Sequence, residues 1–134
     1  MSDFEIVAHR GVPTDIPENT VPSFWRAIDL GADVIELDVR LTRDRVPIVY
    51  HYFYLDEMTS GTGPIFDYTF DQLQEIEILG NDGNPVNGCK ISTLHEVLEP
   101  IGGQVRLEIE IKKHWIFVGK LSRKVSIPSC ERIS

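Results

Sequence analysis

Two stretches of this chain are apolar enough to be buried, yet carry charges at every second position. In 34–41, Ile35, Leu37 and Val39 fall on one side of an extended chain, and Val34, Glu36 and Asp38 on the other. In 105–112, Leu107, Ile109 and Ile111 oppose Glu108, Glu110 and Lys112. Side chains of a strand alternate between its faces, so each stretch has one apolar and one charged face. A strand of a one-sided antiparallel sheet alternates in the same way, with its polar face in water. Each of these two follows a helical segment, however, which favours a parallel sheet whose apolar face meets helices. In a closed barrel the opposite face is the interior. Carboxylates at its C-terminal mouth then need a cation or hydrogen bonds to offset desolvation.

The rest of the chain fits that layout. Glu5 to Ala8 reads as a first strand, running into His9-Arg10-Gly11. Val21, Phe24, Trp25, Ile28 and Leu30 recur at helical spacing, and Gly31 stands where a helix C-cap belongs. Asp44-Arg45 reads as a tight turn and 47–51 as the next strand. After a glycine-rich loop, 60–64, the spacing predicts short helices over 69–76 and 93–98, the second with Ser92 as its N-cap. Strand, helix, strand, strand, short helices, strand is an α/β order.

Charge excludes several functions. The chain has 134 residues, 13 basic and 21 acidic, for a net charge of −8. This argues against a nucleic-acid binder, which needs a basic face. No apolar run approaches the roughly 20 residues of a membrane span, and Met1-Ser2-Asp3 opens no signal peptide, so a cytoplasmic location is expected. Cys89 and Cys130 make neither a disulfide framework nor a zinc site. Residues 1–111 hold 7 basic and 20 acidic groups, whereas 112–134 hold 6 and 1. That asymmetry marks 113–134 as an atypical basic tail behind a domain spanning 1–112.

The candidate site follows from the strands. Glu36, Asp38 and Glu110 are hard oxygen ligands suited to one divalent cation, Mg²⁺ or Ca²⁺. His9 and His51 end the first and third strands, so in a parallel sheet both emerge at the carboxylate edge, as an acid/base pair would. Arg10 and Lys112 add positive charge there, suiting an anionic substrate such as a phosphodiester. A lone histidine at a strand end is more often structural, and His95 and His114, without such company, are read as surface or structural.

These residues resemble the glycerophosphodiester phosphodiesterase family. The matching pieces are His9-Arg10-Gly11, Pro17-Glu18-Asn19-Thr20, Glu36-Leu37-Asp38-Val39 with Thr42 and Asp44, Pro47-Ile48-Val49 with His51, Gly61-Thr62-Gly63, Ile91-Ser92-Thr93-Leu94 and Glu110-Ile111-Lys112. Several short motifs in order, over roughly 5–112, are far more specific than any one of them. The resemblance implies a TIM-type barrel of lipid metabolism that hydrolyses glycerophosphodiesters, lysophospholipids among the substrates to consider, to an alcohol and glycerol 3-phosphate. It implies that Glu36, Asp38 and Glu110 hold the metal, that His9 and His51 are general acid and base, and that Arg10 and Lys112 contact the phosphate. Glu18 and Asn19 would line or brace the first loop.

Three features depart from the family pattern. Tyr52 replaces the aspartate usual after the second histidine, and tyrosine supplies no negative charge at neutral pH. Arg45 replaces a glycine at a turn position that often needs positive φ. The motif match also ends at Lys112. At about 31 residues per strand-helix unit, a chain of this length holds roughly four of the eight units of a barrel. Such an incomplete barrel has two open sheet edges, so the chain alone is expected to be poorly folded or self-associated, and at most feebly active. Two functions stay open at this point: a phosphodiester hydrolase, and a non-catalytic remnant that keeps an anion- and metal-binding mouth.

Overall fold

Thr20 and Pro22 begin the helix that fixes the layout. The Thr20 side chain accepts from the Ser23 backbone N–H, and proline is tolerated in a first turn whose N–H groups have no helical partner. The computed structural model describes residues 4–11, 16–112 and 122–127. Within them run β1 (Val7–His9), α1 (Val21–Asp29), β2 (Val34–Leu41), β3 (Pro47–Val49), α2 (Phe70–Leu73), α3 (Leu94–Ile101), β4 (Arg106–Lys112) and β5 (Ser122–Ile127). Single 3₁₀ turns cover Leu55–Glu57 and Ile65–Asp67. His114, the apolar run 115–118 and Leu121, Pro128 and Cys130 lie outside the described residues.

The sheet is mixed. β1, β2 and β4 are parallel, with His9 level with Glu36, Glu36 with Glu108, and Asp38 with Glu110. β3 runs antiparallel to β2, pairing Val39 with Val49 and Leu41 with Pro47. Because β4 holds one edge of β2 along Val34–Val39, β3 continues the edge that β1 begins. The third strand is therefore a hairpin return, and the described sheet has three parallel strands where sequence spacing predicts four. The cause is the short loop between β2 and β3, since a parallel connection needs a crossover of a dozen residues or more. β5 lies antiparallel on the outer edge of β4, in the segment read as an aperiodic tail. The outer edge of β4 is thus paired, and among the described residues the sheet ends on β1 and β5.

The apolar parity read from the sequence is the core. Ile35, Leu37, Val39, Leu107 and Ile109 pack with Phe24 and Ala27 of α1 and with Val97 and Ile101 of α3. A second cluster, including Ile48, Tyr50, Leu55, Leu73 and Ile91, fills the segment between β3 and α3. That segment is pinned by small devices. Thr93, rather than Ser92, caps α3 in a reciprocal capping box with Glu96, while the Ser92 carbonyl accepts from Val49 N–H. α2 is one turn long, capped by Thr69 with Gln72.

The β2–β3 loop is tied by Thr42 and Asp44. The Thr42 hydroxyl donates to Asp44 Oδ1 at 2.5 Å and accepts from Val46 N–H, and Asp44 Oδ1 also accepts from Phe70 N–H. Arg45 sits in this loop at φ +64°, the left-handed conformation expected from the family glycine. A side chain there costs roughly 1–2 kcal/mol, whereas glycine returns about half of that gain through the freer unfolded chain. Arg45→Gly is therefore expected to raise stability by about 0.5 kcal/mol, read from urea midpoints. A lower midpoint than the parent would show that the loop carries no strain at Arg45.

Candidate active site

Asp38 is the centre on which the other groups converge. It lies at the middle of β2, on the charged face, with 2% of its surface exposed. Asn19 Nδ2 donates to its Oδ2 at 3.1 Å, and Asp38 N–H donates to Asn19 Oδ1 at 3.3 Å. Arg10 Nε and His51 Nδ1 each stand 3.3 Å from the same Oδ2, and Lys112 Nζ is 4.0 Å from Oδ1. Burial pushes the Asp38 carboxyl up, but the His51 ring, the Asn19 amide and the Arg10 charge outweigh it and hold the group below the usual carboxylate range.

Arg10 and His51 arrive from the same side of β2. As β1 ends, Arg10 N–H donates to Glu36 O, and as β3 ends, Tyr50 N–H donates to Asp38 O. The hairpin geometry revises the sequence expectation for His51. It does not emerge from the C-terminal end of a parallel strand, but lies just beyond an antiparallel strand that runs back beside Asp38. Arg10 Nη2 lies 3.1 Å from His51 Nε2. A guanidinium only donates, so Nε2 accepts and the neutral ring carries its proton on Nδ1, facing Asp38. Arg10 Nε and His51 Nδ1 are buried atoms held close to Asp38 without the alignment of a hydrogen bond. His51 thus has a carboxylate at hand, although Tyr52 replaces the aspartate expected after it.

The remaining residues form two flanking pairs. His9 Nε2 is 3.1 Å from Glu36 Oε1, with the imidazole largely exposed. Lys112 Nζ is 2.7 Å from Glu110 Oε2. Glu18 accepts from Arg10 Nη1 at 3.3 Å, so it braces the arginine. Gly11, at φ +90°, lets this loop cross α1: a Cβ there would lie 2.2 Å from the Ser23 hydroxyl. Arg40, not singled out by sequence reasoning, donates from Nε to the His51 carbonyl at 2.9 Å. Its signal was parity, since it shares a face of β2 with Glu36 and Asp38. Outside this site, His95 is exposed and paired with Glu99 one turn along α3.

Glu36, Asp38 and Glu110 share the charged face of two neighbouring strands, and as three carboxylates their donor chemistry suits a hard divalent cation. Their side chains are engaged with His9, with Arg10 and Asn19, and with Lys112. Among the described residues, no three His, Cys, Asp or Glu side chains are disposed around one ion position.

Asn19 is the residue most tightly committed to this arrangement, buried at φ +57° with both amide atoms on Asp38. Truncation leaves a buried carboxylate short of a donor, at a cost of about 2–3 kcal/mol. Asn19→Ala should therefore melt at a clearly lower temperature than the parent. A melting temperature within a degree or so of the parent would remove Asn19 from its role as the brace of Asp38.

Comparison with known proteins identifies the family. The profile of the glycerophosphoryl diester phosphodiesterase family matches residues 9–122, running past Lys112, where the motif resemblance ends. A glycerophosphodiester phosphodiesterase of Caldanaerobacter subterraneus subsp. tengcongensis is 39% identical over 121 residues, covering 90% of this chain and 50% of its own. Human glycerophosphodiester phosphodiesterase 1 is 35% identical over 81% of this chain and 34% of its own. Among solved structures, the glycerophosphodiester phosphodiesterase of Agrobacterium tumefaciens superposes with a TM-score of 0.74 at 36% identity, over 81% of this chain and 47% of that one. A phosphodiesterase of Oleispira antarctica, in complex with its product sn-glycerol-3-phosphate, gives 0.74 at 32%, over 81% and 44%. The chain spans about half the length of the Caldanaerobacter relative and of a Bacillus subtilis one that is 40% identical. With the family profile matching 9–122 and relatives of 35–39% identity over most of its length, the chain belongs to the glycerophosphoryl diester phosphodiesterase family.

Proposed function

We propose that this chain contributes to the hydrolysis of a glycerophosphodiester to an alcohol and glycerol 3-phosphate, with His51 and His9 moving the protons. The observation that carries the reading is the contact of Arg10 with both Asp38 and His51 Nε2. A phosphate is a stronger partner for a guanidinium than a neutral imidazole is. When the diester draws Arg10 toward its oxygens, His51 Nε2 is left as an available proton acceptor. Asp38, beside Nδ1–H, holds the ring in that tautomer. His51 then takes the proton of an attacking water or hydroxyl, and His9 protonates the departing alkoxide. Lys112, paired with Glu110 in the absence of substrate, is the second cation for the phosphate.

Glu36, Asp38 and Glu110 are the residues that would hold a divalent cation, Mg²⁺ or Ca²⁺. When bound, such an ion polarises the phosphoryl oxygens and lowers the pKa of an attacking oxygen. The charge balance supports it: with Glu18 there are four carboxylates around Arg10, Lys112 and Arg40. The second reading, a non-catalytic module that keeps an anion- and metal-binding mouth, draws on Tyr52 and on the share of the family length covered. The His51–Asp38 contact weakens the first of these two grounds, because it supplies the ring with a carboxylate. Domain limits of 1–112 and 113–134, a cytoplasmic location and self-association through open sheet edges remain part of this proposal.

Two measurements test it. With Mg²⁺ or Ca²⁺ present, glycerophosphocholine should be turned over, and His51→Ala should lower kcat by roughly 100-fold or more. Near-parental turnover in His51→Ala would remove the base from the mechanism, and no parental turnover would favour the binding module. Titration calorimetry of Mg²⁺ and Ca²⁺ should show weaker binding to Glu36→Gln than to the parent. Equal affinities would take Glu36 out of the ligand set.

A further inference from the structure

Next to the catalytic edge lies a cavity of about 420 Å³ whose walls include Ile16, Glu18, Tyr52, Asp56, Glu57 and Met58. It is continuous with the site through two of them. Glu18 takes the Arg10 guanidinium on one side and lines the cavity on the other. Tyr52 directly follows His51, and its ring meets the imidazole edge-to-face at 4.8 Å. The two regions differ in charge. Arg10 and Lys112 stand at the catalytic edge, whereas no described residue lining the cavity is Lys or Arg. Asp56 and Glu57 are exposed there, and Asp56 Oδ1 accepts from Gly63 N–H at 2.7 Å.

A phosphodiester held by Arg10 extends two substituents from the phosphorus, and this cavity adjoins the site on the side of Glu18 and Tyr52. An aromatic ring attracts a cation through its face, most strongly where carboxylates add to the field. We propose that the cavity is the subsite for the alcohol portion of the diester and that Tyr52 selects alcohols carrying a quaternary or primary ammonium group. This rests on the hydrolase reading for the identity of the diester, but the ammonium preference stands on the cavity itself. The substitution of tyrosine for aspartate at position 52 then has a physical role: it exchanges a charge beside His51 for an aromatic wall on the subsite.

The test separates the two claims. Choline and its uncharged tert-butyl isostere are titrated into the protein by NMR, with no metal or diester present. Choline should bind about tenfold more tightly, Tyr52→Phe should keep that ratio, and Tyr52→Leu should bring it close to one. Equal affinities in the parent, or a ratio that survives Tyr52→Leu, would overturn the proposal. Should Tyr52→Leu fail to fold, Glu57→Gln, at an exposed position, serves instead: the ratio must fall, and an unchanged ratio overturns the proposal. In parallel, kcat/KM is compared for glycerophosphocholine and glycerophosphoglycerol. Turnover of both with equal efficiency defeats the subsite alone. A choline preference in binding without turnover of either defeats the hydrolase reading and leaves the subsite standing.

Discussion

The Asp38 carboxylate is the constraint on which the site depends. A nearly inaccessible carboxylate in the middle of a strand is tolerable only if donors and positive charge replace the water it has lost. The chain supplies them from four separate places: the loop after β1 (Arg10), the turn before α1 (Asn19), the return after β3 (His51) and the end of β4 (Lys112). Each of these segments is thereby fixed to the same point. The group that makes the chemistry conceivable also positions the loops that carry it.

The electrostatics explain why this arrangement is poised rather than inert. Arg10 divides itself among Asp38, Glu18 and His51, none of them a bidentate partner at ideal distance. Two buried nitrogen atoms, Arg10 Nε and His51 Nδ1, lack aligned hydrogen bonds. Unsatisfied polar atoms of this kind are uncommon in structural ion pairs and concentrate where a ligand completes the network. A phosphate at Arg10 would leave His51 Nε2 open while Asp38 keeps its hold on Nδ1.

The second apolar cluster has an equivalent part. The chain between β3 and α3 has no long helix among its described residues, yet Leu55, Ile65, Leu73, Ile78 and Ile91 bury almost completely. Their packing gives Tyr50 and Tyr52 a rigid base, with the Tyr50 hydroxyl donating to Tyr54 O. This places one wall of the cavity beside His51. Residues chosen for burial in a loop segment thus determine what can lie against His51.

The sequence by itself determined the parity of β2 and β4 and the family, and it named most of the residues that meet around Asp38. Alternation is a local property: once Glu36 and Asp38 share a face, Ile35, Leu37 and Val39 must share the other. The glycine after α1 and the strained Arg45 turn are equally local and equally legible, whereas the cap of α3 fell one residue from its expected place, on Thr93. The direction of β3, the partner of each charge and the place of β5 were decided only by tertiary structure. Pairing direction depends on which edge is free and on how long the connection is, neither of which is visible in one strand. Arg40 and the His51–Arg10 contact escaped for the same reason, since they arise where separate segments meet around one buried charge. The sequence states which groups must be neutralised, and packing decides by which neighbour.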